Sequence, residues 1–118
     1  MKTQFFIFYQ NNSGGSFRYS KESGITRYVI IEAVDIDNAM NRAEDIGLYF
    51  NGVDNDMDCA CCGDRWRKPW SDEGSDEPLL YGEHPSEHQA KGASYRFFKA
   101  DEFEVAVHCL DGRIYWYH

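Results

Sequence analysis

Two stretches of this chain are apolar on both of their faces, and that feature limits the folds open to it. Residues 4–10 alternate Phe5, Ile7 and Tyr9 on one side with Phe6 and Phe8 on the other. Residues 25–34, Ile-Thr-Arg-Tyr-Val-Ile-Ile-Glu-Ala-Val, are rich in β-branched side chains. A strand with no polar face has to be covered twice, so both are expected inside a sheet. A helix follows. Asp35 or Asp37 is placed to cap it, Ala39, Met40, Ala43 and Ile46 recur at helical spacing, and Gly47 ends it. No other segment supports a helix so well, and one helix covers one side of a sheet. The other side then needs the C-terminal strands or a second copy of the chain, so a homo-oligomer is expected.

The C-terminal third reads as strands. Residues 94–99 form one, and residues 103–110 and 113–118 form a hairpin around Asp111-Gly112, the dipeptide of a type I′ turn. A two-residue loop sets Leu110 opposite Arg113, His108 opposite Tyr115 and Ala106 opposite Tyr117. Opposed residues share a face. One face then carries Val105, Val107, Cys109, Ile114 and Trp116, and the other carries His108, Arg113, Tyr115 and Tyr117. The fold expected is α+β: a small, mainly antiparallel sheet, one main helix, the hairpin, and a long irregular loop. Its 118 residues suffice for one domain, 1–118.

That irregular stretch, about 63–92, follows the one cysteine cluster. Cys59-x-x-Cys62-Gly63 has the form of half a zinc knuckle, whose spacing wraps two thiolates around a tetrahedral metal. A structural zinc would draw further ligands from Cys61, Cys109 or a histidine; the competing reading is a tight turn with ordinary thiols. Asp54-x-Asp56-x-Asp58 imitates a calcium loop but lacks its glycine and distant glutamate, and reads as a solvated turn. His84 and His88 read as loop histidines. No nucleophile elbow, paired-carboxylate site or phosphate loop ahead of a helix is present, so catalytic residues are not expected.

Charge narrows the partners. The net charge of −8 argues against general nucleic-acid binding. It is unevenly spread, however. Before Glu32, Lys2, Arg18, Lys21 and Arg27 face only Glu22, whereas from Glu32 to Asp64 nine acids face only Arg42. An anionic ligand would therefore prefer the first segment or the 65–68 cluster. No stretch approaches the ~20 apolar residues that cross a bilayer, and the first apolar run is too short for a signal peptide, so no membrane partner and a cytosolic location are expected.

Three runs carry a resemblance: residues 10–17 (Gln-Asn-Asn-Ser-Gly-Gly-Ser-Phe), residues 24–33 (Gly-Ile-Thr-Arg-Tyr-Val-Ile-Ile-Glu-Ala) and residues 58–66 (Asp-Cys-Ala-Cys-Cys-Gly-Asp-Arg-Trp). Together they resemble a family of short, functionally unassigned proteins of tailed bacteriophages. The resemblance implies a phage accessory protein in the host bacterial cytoplasm, a setting in which small proteins often counter host defence. Aromatic residues make up 16% of the chain, and surplus aromatics serve as contact surface. The expected function is therefore sequestration of a small nucleotide-derived signal. Its expected site is the hairpin face with His108, Arg113, Tyr115 and Tyr117. The 11–16 loop (Asn11, Asn12, Ser13) with Arg18, or the segment holding Arg65 and Trp66, would close over it. Inhibition of a host protein by direct contact, or metal-assisted hydrolysis of the signal, are the alternatives.

Overall fold

A computed structural model of the chain describes residues 2–11, 18–55, 57–58, 63–69, 74–79 and 105–117. In it β1 (Gln4–Gln10) pairs antiparallel with β2 (Tyr28–Ala33), from Gln4 opposite Ala33 to Tyr9 opposite Tyr28. Next comes α1 (Ile36–Ile46), N-capped by Asp35, whose carboxylate accepts from the Asn38 amide at 2.9 Å. Its end is a double closure: the Gly47 amide donates to Glu44 and the Leu48 amide to Ala43. The short β3 (Trp66–Arg67) lies antiparallel on the outer side of β1. β4 (Val105–His108) pairs parallel with β2, and β5 (Ile114–Tyr117) returns antiparallel to β4. The sheet order is β3-β1-β2-β4-β5, a mostly antiparallel sheet with one helix among the described residues, hence α+β.

Both faces of β1 and β2 are buried. Phe6, Phe8, Val29, Ile31 and Ala33 pack with Ala39 and Ala43 of α1, Leu48 and Trp66. On the opposite face Ile7, Tyr28, Ile30, Val105 and Val107 form a second cluster edged by Phe5, Tyr9, Cys109 and Tyr117. Each fully buried large side chain contributes roughly 1.5–3 kcal/mol. The second face is thus closed within one chain, with Ile30 only 1% exposed. The sequence argument for a homo-oligomer, which assumed an uncovered face, loses its premise.

The hairpin register differs from the expected one by a single residue. His108 opposes Ile114, Val107 opposes Tyr115 and Val105 opposes Tyr117. The loop is three residues long: the Gly112 amide donates to the Cys109 carbonyl and the Cys109 amide to the Arg113 carbonyl. A type I′ turn needs positive φ at both central residues, whereas here Gly112 (φ 94°) has it and Asp111 does not. Asp111 instead uses its carboxylate to accept from the Arg113 amide at 3.0 Å, a local bond that holds the three-residue turn. A one-residue slip moves a strand's side chains to the other face. His108 therefore shares a face with Phe6, Ile31 and Ile114, under the helix, while Tyr115 and Tyr117 lie opposite.

Candidate functional site

Gln10, the last residue of β1, organises one end of the sheet. It is 5% exposed and uses its whole amide. Nε2 donates to the carbonyls of Arg18 and Thr26, each at 3.1 Å, while Oε1 accepts from the Arg18 amide and from Arg65 Nη1 at 3.1 Å. Arg65, 8% exposed, also donates from Nε to the Tyr49 hydroxyl at 3.1 Å, and its amide donates to Asp58 at 2.8 Å. Tyr49 in turn donates to the other Asp58 oxygen at 2.8 Å. The Arg65 guanidinium and the Asp58 carboxylate approach only to 3.9 Å, so the Tyr49 hydroxyl bridges the two charges. Burial, then the bond to Asp58, push the Tyr49 hydroxyl above the usual tyrosine range. A buried pair completed by further hydrogen bonds is the arrangement in which removing one partner is costly.

Cations gather at this end of the sheet, on both of its faces. The Arg18 guanidinium lies over the Tyr49 ring (5.4 Å to the centroid), Arg67 over Tyr9 (5.4 Å) and Arg27 over Tyr28 (5.2 Å), while Tyr9 and Tyr28 meet edge to face. Such stacking fixes a guanidinium without neutralising it. With Arg65 and Lys68, five of the chain's 12 lysines and arginines stand at this end. Among the described residues the acids there are Asp54, Asp58 and Asp64. The two segments that the sequence marked as preferring anions, the N-terminal one and 65–68, meet here.

Beside the node is a cleft of about 270 Å³ lined by Phe50, Asn51, Asp64, Trp66, Arg67 and Lys68. Trp66 is buried, and Phe50 packs against Phe8 at 5.8 Å between ring centroids. Asn51 turns the chain at φ 57°, a region asparagine tolerates. Ligand pockets run from about 300 Å³ upward, so this cleft lies at the small end of that range.

The other expected site residues divide. Arg18, Arg65 and Trp66 belong to this end, with Arg65 and Trp66 buried as scaffold. Asn11 is exposed beside them, its amide donating to the Arg65 carbonyl. Asn12 and Ser13 lie outside the described residues. His108, expected on an open polar face, is 1% exposed under the helix. Arg113 is exposed, but its guanidinium is engaged by Asp111 at 2.9 Å, and bonding to Tyr115 and then Asp111 raises its pKa. Tyr115 is exposed and Tyr117 half-buried on the face opposite His108. The four hairpin residues thus form no common surface.

Cys59, Cys61 and Cys62 lie outside the described residues. Their described neighbours, Asp58 and Gly63, sit at the Gln10 end. Cys109 is at the other end: the Leu110 amide beside it donates to Glu32, which opposes Phe5. From the level of Phe5 to that of Asn11 is about 20 Å at ~3.3 Å per residue, which separates Cys109 from the described Asp58 and Gly63. It is a free thiol, raised in pKa by burial and then by Glu32. Among the described residues no group of three or more metal-ligating side chains occurs. Nor is any helix among them long and apolar enough to cross a membrane.

The model of the family described as a domain of unknown function, DUF7296, matches residues 3–118. The chain belongs to that family. No curated protein and no solved structure matches it. The DUF7296 assignment covers both the Gln10 node and the cleft.

The sequence reading missed Gln10, Tyr49, Phe50 and Asn51. A glutamine ending an apolar strand carries no motif, and its role depends on residues at positions 18, 26 and 65. Arg67 and Lys68 were visible as part of a basic cluster, though without their aromatic partners.

Proposed function

We propose that this chain binds and sequesters a small nucleotide-derived anion without catalysing a reaction on it, and that the cleft between Phe50 and Lys68 is the site. The supporting observation is an aromatic-lined cleft bordered by Lys68, with Arg18 stacked on the nearby Tyr49, in an otherwise acidic chain. Phe50 offers apolar surface to a base, Lys68 offers charge to a phosphate, and the Asn51 amide offers a polar edge for selectivity. The resemblance to tailed-bacteriophage proteins adds the context: a counter-defence role in the host bacterial cytoplasm. A structural zinc on Cys59 and Cys62 belongs to the same proposal.

The protein-inhibitor reading is favoured by a different observation. Asp35, Asp37, Glu44 and Asp45 are all exposed along α1, which offers an acidic surface to a basic partner. Metal-assisted hydrolysis would use His108 or a metal on the cysteines, and of these His108 is buried and bonded to Gly24.

Titration calorimetry with mononucleotides, cyclic nucleotides and ADP-ribose derivatives is the test. At least one should bind, and Lys68→Ala should weaken it by about 1.5–3 kcal/mol, the worth of a hydrogen bond to a charged group, which is roughly 10–150-fold. Arg18→Ala, outside the cleft, should weaken it less. No binding across the panel, or binding indifferent to Lys68, would sink the proposal and favour the inhibitor.

A further inference from the structure

His108 is a fully buried histidine that the proposed site does not use. Its Nε2 lies 2.9 Å from the carbonyl of Gly24. A carbonyl only accepts, so the neutral ring carries its proton on Nε2 and presents a bare Nδ1. That Nδ1 is buried and has no hydrogen-bond partner in the structure. Gly24 is pressed against the ring: a Cβ there would stand 2.5 Å from Cε1 and 2.6 Å from Nε2, and its φ is 71°.

Gly24 closes a small hairpin. Ser20 and Ile25 exchange backbone hydrogen bonds at 2.9 and 2.8 Å, and the Gly24 amide donates to Lys21 at 3.2 Å. Arg18, Tyr19, Ser20 and Ile25 line a second cleft, of about 410 Å³. One end of this segment is tied to the sheet by the Gln10 amide. The other is held by the His108 ring.

We propose that the His108–Gly24 contact is an acid-released latch: protonation of the bare Nδ1 frees the hairpin of residues 20–25 from the sheet and opens the cleft beside Arg18. A second N–H on a ring in this position is a buried donor with nothing to accept it, which costs more than the single bond it would leave in place. The neighbours do not offset that charge. From α1, Arg42 adds like-charge repulsion. From β2 and β5, Ile31 and Ile114 share the His108 face and are apolar. Glu32, Asp111 and Arg113 belong to the far face or the exposed turn, and Lys21 and Glu22 of the hairpin are exposed. Burial, with Arg42 behind it, holds the ring below the usual histidine range despite the opposing effect of the Gly24 bond. The closed state thus takes up its proton at lower pH than the open one. The latch is fully held above the ordinary histidine pKa of about 6.5 and is lost progressively as pH falls through the folded value.

Amide hydrogen exchange of the full chain across this range is the test, read as protection factors so that the intrinsic pH dependence of exchange cancels. Residues 21–25 should lose protection by up to about tenfold per pH unit below ~6.5, the limit for one linked proton, while β1, β2 and α1 keep theirs. His108→Gln, whose side-chain amide donates to Gly24 without titrating, should hold the hairpin at every pH. If that variant does not fold, Arg42→Gln serves: lessening repulsion raises the folded-state pKa, so the loss of protection should level off at higher pH than in wild type. Uniform loss across the whole sheet, unchanged protection of residues 21–25, or identical pH dependence in these variants would each overturn the latch.

Discussion

Gln10→Leu tests whether the node at the end of β1 is a single cooperative unit. The replacement keeps the approximate volume and apolar stem but removes two donated and two accepted hydrogen bonds at once. Three of these bonds join neutral groups and are worth about 1 kcal/mol each, while the bond from the Arg65 guanidinium is worth about 1.5–3 kcal/mol. Water at the exposed Arg18 recovers part of the loss, which leaves about 3–5 kcal/mol. A domain of this class is stable by only about 5–15 kcal/mol. At roughly 3–6 °C per kcal/mol for a chain of this length, the melting temperature should fall by about 10–30 °C. Thermal and urea unfolding followed by circular dichroism would measure it, and an unchanged m-value would show that the same surface is exposed on unfolding. A loss under about 1 kcal/mol would place Gln10 among ordinary surface positions and refute the node.

Two further outcomes separate other features. Gly24→Ala meets the His108 ring in a left-handed conformation and should cost about 2–4 kcal/mol, whereas Gly112→Ala has nothing within 4 Å and should cost only the backbone strain of about 1–2 kcal/mol; chemical denaturation of both variants measures the difference, and equal losses would contradict the close approach. If Cys59 and Cys62 hold a structural zinc, elemental analysis should find about one zinc per chain, chelation should lower the melting temperature, and Cys109→Ser should leave the zinc content unchanged. Metal-free protein with an unaltered melting temperature would refute it.

The local elements were legible where a residue's own neighbours determine its conformation. Doubly apolar runs identified β1 and β2, and Asp35 and Gly47 bound α1 at the expected places. The hairpin register was not legible, because Asp111-Gly112 supports two loop lengths. The choice was made by the Asp111 carboxylate bonding to the Arg113 amide and by Gly112 alone taking positive φ. That slip of one residue is also why a binding surface built on His108, Tyr115 and Tyr117 dissolves. The candidate site was legible in charge but not in geometry. Arg18 and the 65–68 cluster stood out as bases, yet their meeting depends on Gln10, Thr26 and Arg65 converging from distant parts of the chain. Pairwise convergence of this kind leaves no periodicity in a sequence.

The parallel pairing of β2 with β4 has a consequence for how the chain is made. β2 is complete early in synthesis, but the neighbour that covers its second edge begins at Val105. Until then β2 offers a row of unpaired amides and carbonyls flanked by Val29, Ile30 and Ile31, a surface prone to join other strands. Closing this pairing late also demands a large loop, which slows folding. Synthesis at about 5–20 residues per second makes that exposure last for seconds on each nascent chain. Charged residues between the two strands, such as Asp35, Asp37, Glu44 and Asp45 on α1, then act during synthesis as well as after it, by keeping unfinished copies apart.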